Sequence, residues 1–113
     1  MTLFEFLAER LGEDEISARE VPSGRWPVVA DDGLLTDYLT RLDPSRVLAE
    51  VEAKRRIVEL HEPFIIGDLG ETLCYRCGHG NESDPGARWP CLTVAALGTV
   101  YADHPDYEES WRP

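Results

Sequence analysis

A mainly helical single domain of four to five helices, fastened by a knuckle of three cysteines and a histidine and carrying little or no β-strand, is the fold class this sequence predicts. Three observations lead there. Apolar residues recur at helical spacing over residues 2–20, 34–42 and 44–60. Asp43-Pro44 marks the start of the last of these stretches, with Asp suited to accept from unpaired amides and proline suited to the first helical position. Finally, Cys74, Cys77 and Cys91, the only cysteines, lie in and beside a glycine-rich region that no regular element accounts for. The 113 residues suit one domain, 1–113, helical over 2–61 and 90–112 with a knuckle or loop region at 62–90.

The first helix is expected over 2–20. Thr2 and Glu5 are spaced as a capping box, and Leu3, Phe4, Leu7, Leu11 and Ala18 form its apolar side. Glu13, Asp14 and Glu15 are expected in solvent, and Gly12 as a weak point that bends the helix or starts a second segment. Pro22, Gly24, Pro27 and Gly33 then make a loop, with a short extended piece at Trp26, Val28 and Val29. A short helix follows from Leu34 to Leu42, with Leu35, Tyr38, Leu39 and Leu42 on one side.

The helix from Asp43 should run to about His61, where Pro63 stops it. Val47, Leu48, Val51, Ile57, Val58 and Leu60 are its expected apolar contacts, and Glu50 with Lys54 and Glu52 with Arg56 are favourable i,i+4 pairs. Lys54, Arg55 and Arg56 interleave with Glu50, Glu52 and Glu59, which reads as a solvated face and not as a phosphate site. Phe64, Ile65 and Ile66 suggest a buried strand or anchor. After Pro90, the run Cys91 to Leu97 reads as a helix ending near Gly98 or Tyr101. The tail, with Asp103, His104, Asp106, Tyr107 and Trp111, suggests a short final helix capped through an Asp. Trp26, Trp89 and Trp111 are expected in the core or over the knuckle.

The chemistry concentrates in His61, Cys74, Cys77 and Cys91. His61 precedes Cys74 by twelve intervening residues, Cys74 and Cys77 form a Cys-x-x-Cys pair, and thirteen residues separate Cys77 from Cys91. Thiolate and imidazole are the ligands Zn2+ prefers, and four of them saturate it, so this set predicts a structural zinc site. The last turn of one helix would deliver the imidazole. Pro90 would set Cys91 at the start of the next, where a helix N-terminus favours the thiolate. His79 is the alternative fourth ligand; His61 is favoured because the chain two residues past Cys77 is still turning tightly.

Catalytic patterns are missing. A zinc deaminase needs His-x-Glu and then Pro-Cys-x-x-Cys, whereas His61-Glu62 are adjacent and Pro90-Cys91-Leu92-Thr93 lacks the second thiol. No His-Glu-x-x-His, P-loop, Gly-x-Gly-x-x-Gly or Gly-x-Ser-x-Gly occurs. A redox dithiol would want a helix after the pair, and glycines follow instead. The charge is -11, from 22 acidic against 11 basic residues; this field repels phosphate backbones and favours a basic protein partner. From Met1 the chain meets Glu9 and Arg10 before an apolar run develops, and no stretch reaches membrane-spanning length, so no secretory leader or membrane span is expected and the expected location is the cytoplasm.

The segment Leu42 to His61 (Leu-Asp-Pro-Ser-Arg-Val-Leu-Ala-Glu-Val-Glu-Ala-Lys-Arg-Arg-Ile-Val-Glu-Leu-His) and the ending Pro90-Cys91-Leu92-Thr93 through Tyr101-Ala102-Asp103-His104-Pro105-Asp106-Tyr107-Glu108-Glu109-Ser110-Trp111 resemble a family of small uncharacterised proteins from actinobacteria and their phages, domain of unknown function 6221. The opening helix with Gly12-Glu13-Asp14-Glu15 fits it too. The resemblance implies an actinobacterial or actinophage origin and no known catalysis; ten arginines against one lysine are compatible with a high-GC genome. The expected role is a non-enzymatic zinc-binding adaptor for a protein partner, of the kind a phage or prophage directs at a host protein. An acidic mimic of nucleic acid that inhibits a DNA-binding protein is the alternative, and a small enzyme of unknown reaction the second.

Overall fold

The computed structural model describes residues 1–21, 33–66, 71–74, 76–77 and 87–113. The expectation of a loop at 22–32, with Trp26 in it, lies outside them. Helix α1 spans Leu3–Arg19, α2 Gly33–Arg41, α3 Pro44–Leu60 and α4 Leu92–Gly98, the last continued by a 3-10 turn at Thr99–Tyr101. Strands β1 (Pro63–Ile66), β2 (Glu71–Cys74) and β3 (Ala87–Arg88) form one antiparallel sheet in that order. The mainly helical class holds, and the small strand content is this sheet.

The helix boundaries follow the local chemistry. Thr2 caps α1: its hydroxyl accepts the Glu5 amide at 3.2 Å and donates to the Glu5 carboxylate at 3.3 Å. Asp43 caps α3 by accepting the Arg46 amide at 2.9 Å, with Pro44 next in the first turn. His61 is the C-cap of α3, and Pro63, which cannot continue a helix, opens β1 instead. Replacing Asp43 by Ala is expected to lower stability by about 1 kcal/mol, read as a lower urea midpoint at unchanged slope, while Asp43→Asn leaves it nearly unchanged. Equal losses in both variants would show that the cap bond is not what Asp43 contributes.

Helix α1 is the centre of the packing. Leu3, Phe6, Leu7, Leu11 and Ala18 are buried along its inner side, against α3 and the C-terminal segment. Leu3, Phe6 and Leu7 join Val58 of α3, Val94 of α4, Trp111, Cys74 and Cys91 in one apolar cluster. A side chain at Gly98 would bring a Cβ within 3.1 Å of Leu3, so the bare backbone lets α4 approach α1 closely. α1 runs unbroken through Gly12.

Several side chains depart from expectation. Phe6, not Phe4, is the fully buried ring; Phe4 is partly buried and meets Trp89 edge to face at 6.4 Å. The difference is made by the C-terminal segment, which surrounds Phe6 with Tyr101, His104, Tyr107 and Trp111 at centroid distances of 5.1 to 6.3 Å. Arg10 is buried too, its guanidinium over the Phe6 ring at 5.1 Å, bonded to Glu13 at 2.9 Å and 2.7 Å from the His104 ring. Asp14 and Glu15 are not plain solvent residues: Tyr101 donates to Asp14 at 2.6 Å, and Arg55 of α3 pairs with Glu15 at 2.7 Å. The Arg55 guanidinium, and then Arg19, hold the Glu15 carboxyl below its ordinary range. One member of the basic cluster on α3 is therefore an inter-helix tie. Glu50 pairs backwards with Arg46 at 3.1 Å, whereas the expected Glu52–Arg56 pair is present at 3.2 Å.

The final helix expected in the tail is reduced to a 3-10 turn at Glu109–Trp111, with Tyr107 and Trp111 edge to face at 5.6 Å. It is the His104 ring, not an Asp, that accepts an amide there, that of Asp106 at 3.0 Å. Leu60 and Ile65, read as apolar contacts, are 52% and 69% exposed. Among the described residues, no helix is long and apolar enough to cross a membrane.

Candidate metal centre

Three structural devices bring the four expected ligands together. His61 stands at the end of α3, where the chain leaves the helix for β1. Cys74 ends β2, with Cys77 in the turn beyond it. Cys91 is the N-cap of α4 and offers no side-chain bond to the helix, which leaves its sulfur free for another task. Antiparallel pairing sets Cys74 opposite Pro63, two residues after His61, and opposite Ala87 on the other side.

The Nδ1 atom of His61 lies 3.3 Å from the Cys74 sulfur, 3.4 Å from that of Cys77 and 3.5 Å from that of Cys91. One ring nitrogen makes at most one hydrogen bond as a donor, so three sulfurs around it are not a hydrogen-bonding pattern. They match a coordination shell. With Zn–S near 2.3 Å and Zn–N near 2.0–2.1 Å, a tetrahedron sets each N–S edge at roughly 3.6 Å. All four ligand atoms fall within 4.8 Å of one another. The donor set is compatible with a soft or borderline divalent cation, with His61 binding through Nδ1.

Burial is uneven around the site. Cys74 and Cys91 are 0% and 3% exposed and belong to the apolar cluster, whereas Cys77 is exposed at the rim. Desolvation, and then the neighbouring Cys91 and Cys74 thiols, push the Cys77 thiol up to about 12. A metal bound there would displace the thiol proton.

Trp89 ties two of the ligand-bearing segments together. The Trp89 indole N–H donates to the His61 carbonyl at 2.8 Å, and the Trp89 amide donates to the Thr72 carbonyl at 3.0 Å. The sequence offered no signal for the first of these, because a side-chain bond to a backbone carbonyl 28 residues away leaves no motif. His79, the alternative ligand, lies outside the described residues. His104 and Asp106 join no metal-holding group among the described residues; they pack against Arg10 instead.

The sequence model of a family of unknown function, DUF6221, matches residues 1–113, and the chain belongs to that family. No curated protein and no solved structure matches it.

Proposed function

We propose that this member of a family without an assigned activity is a non-enzymatic module in which structural zinc staples α3, the sheet and α4 together, so that the assembled surface binds another protein. The observation that carries the reading is the donor set itself: three sulfurs and one imidazole nitrogen within 4.8 Å of one another. Four protein ligands fill a tetrahedral ion, whereas a catalytic zinc keeps a position for water or substrate. Zinc is the ion proposed because it takes thiolate and imidazole without geometric preference of its own.

The partner is proposed to be a basic protein. The chain carries a charge of -11, which speeds encounter with a cationic surface. Glu59, Leu60, Glu62, Pro63, Phe64 and Arg76 line an open groove of about 490 Å³ beside the knuckle, where the exposed Leu60 supplies apolar contact. The nucleic-acid mimic has less support. Many carboxylates are matched by nearby arginines, as in Glu13–Arg10, Glu50–Arg46, Glu52–Arg56 and Glu109–Arg112, so they do not present an unbroken row of negative charge.

The test is elemental analysis of untagged protein purified under reducing conditions, followed by affinity capture with wild type and a Glu59→Lys, Glu62→Lys variant. One equivalent of zinc per chain is expected in both, with the captured protein weakened by salt and lost in the variant. Less than half an equivalent of any metal in fresh wild-type protein would remove the staple. Capture unaffected by the charge reversal would remove this groove as the docking face.

A further inference from the structure

We propose that Trp89 is the positioning residue of the metal centre: its indole N–H, donated to the His61 backbone carbonyl, fixes where the His61 ring stands relative to the Cys74 and Cys91 sulfurs. The inference rests on the metal reading above and deepens it.

Trp89 touches or adjoins the segments that supply His61, Cys74 and Cys91. Its side chain bonds the ligand residue His61 itself at 2.8 Å, and its amide bonds the carbonyl of Thr72, two residues before Cys74, at 3.0 Å. Its own chain reaches Cys91 two residues later, through Pro90. The indole also meets Phe4 of α1 in an edge-to-face contact at 6.4 Å. His61 needs such a tie. It is the last residue before the chain leaves α3, its backbone has left helical geometry (φ -110°, ψ 32°), and its carbonyl lies past the helix ladder. A C-cap residue with an unpaired carbonyl is free to swing, and a ligand that swings binds its ion less well. With the indole bond, the backbone of His61 is fixed against the sheet before any ion arrives.

Three ligands are thus set by protein contacts alone: His61 by Trp89, Cys74 by pairing with Pro63 and Ala87, and Cys91 by burial in the core. Cys77 is exposed in its turn, with its sulfur 3.4 Å from the same His61 Nδ1. Pre-placing three of four ligands reduces the ordering that binding must bring about, which is how outer partners raise metal affinity by 10–100-fold in well-studied sites.

The experiment compares wild type, W89F and F4L, each reduced, stripped and titrated with Co2+, then with Zn2+ in competition with a chromophoric chelator. W89F keeps an aromatic face toward Phe4 but loses the donor; F4L loses the ring contact but keeps the donor. Expected are roughly ten-fold or greater weakening of both metals in W89F, with a shifted visible Co2+ band, and wild-type behaviour in F4L. A packing role alone would weaken F4L as well and leave the Co2+ band of loaded W89F unchanged, and that result overturns the inference. Failure of the wild type to take up either metal overturns the metal reading and this inference with it. Uptake by wild type with W89F indistinguishable overturns the inference alone. Should W89F fail to fold, exchange of the Trp89 indole proton in zinc-loaded wild type decides: slowing by ten-fold or more against a free indole supports the bond, and exchange at the free rate excludes it.

Discussion

On the proposed zinc reading, treatment with a chelator under reducing conditions is expected to dissolve the half of the molecule that holds β1, β2, β3 and α4. The strands are four, four and two residues long, too short to stand as a sheet without help. Helix α4 has seven residues, well below the length at which a helix holds itself in water. Structural zinc contributes on the order of 10 kcal/mol, as much as the whole net stability of an ordinary domain. Cys74 and Cys91 are also core residues, so losing the ion leaves thiols crowded inside the apolar cluster. The measurement is thermal unfolding by circular dichroism with and without chelator, joined to amide exchange. The cooperative melt should disappear or fall by tens of degrees, with protection lost first at Leu73, Cys74 and Val94. A chelated sample that melts at the original temperature would show that no ion holds this fold. Cys91→Ser should behave like the chelated protein, since it removes the ligand that ties α4 to the rest.

Phe6→Ala is expected to cost about 3–5 kcal/mol, the range for emptying a buried aromatic site. Phe6 is 0% exposed and is ringed by Tyr101, His104, Tyr107 and Trp111, with the Arg10 guanidinium over its face. Its loss leaves the segment after α4 with little to close upon. Urea denaturation of the metal-loaded protein measures this, and Phe4→Ala is the comparison. Phe4 is only partly buried, so its change should cost clearly less. If the two variants lost similar stability, or Phe6→Ala lost under about 1.5 kcal/mol, Phe6 would not be the anchor of the C-terminal segment.

Features decided within one turn of chain were legible in the sequence. The Thr2 cap with Glu5 and the Asp43 cap with Pro44 each depend on atoms three residues apart, and both occur as expected. The ligand set was legible for a different reason. A Cys-x-x-Cys pair, a third cysteine after Pro90 and a histidine at a helix end have the residue types and spacing of one donor set, and the structure brings those four side chains within 4.8 Å of one another. What escaped detection depends on partners far along the chain. Arg10 carries every sign of a surface residue, and only His104, 94 positions later, shows why its guanidinium is buried. Arg55 reads as one charge in a mixed helical face until α1 brings Glu15 alongside. Of the sheet, Phe64 to Ile66 were legible as a strand or anchor and form β1, while β2 and β3 escaped for want of length: β2 holds only Glu71, Thr72, Leu73 and Cys74, too few residues for alternation to rise above chance.

Cys74 and Cys91 pack in the apolar cluster, and on the proposed zinc reading they would serve as ligands at the same time, which would have a physiological consequence. A newly synthesised copy would leave the ribosome unloaded, and until an ion arrived it would offer Leu73, Val94 and their neighbours to the quality-control proteases that clear unfinished chains. On the proposed zinc reading, its lifetime in a cell would be tied to zinc supply: abundant when the ion is plentiful, scarce under starvation, with no dedicated regulator required.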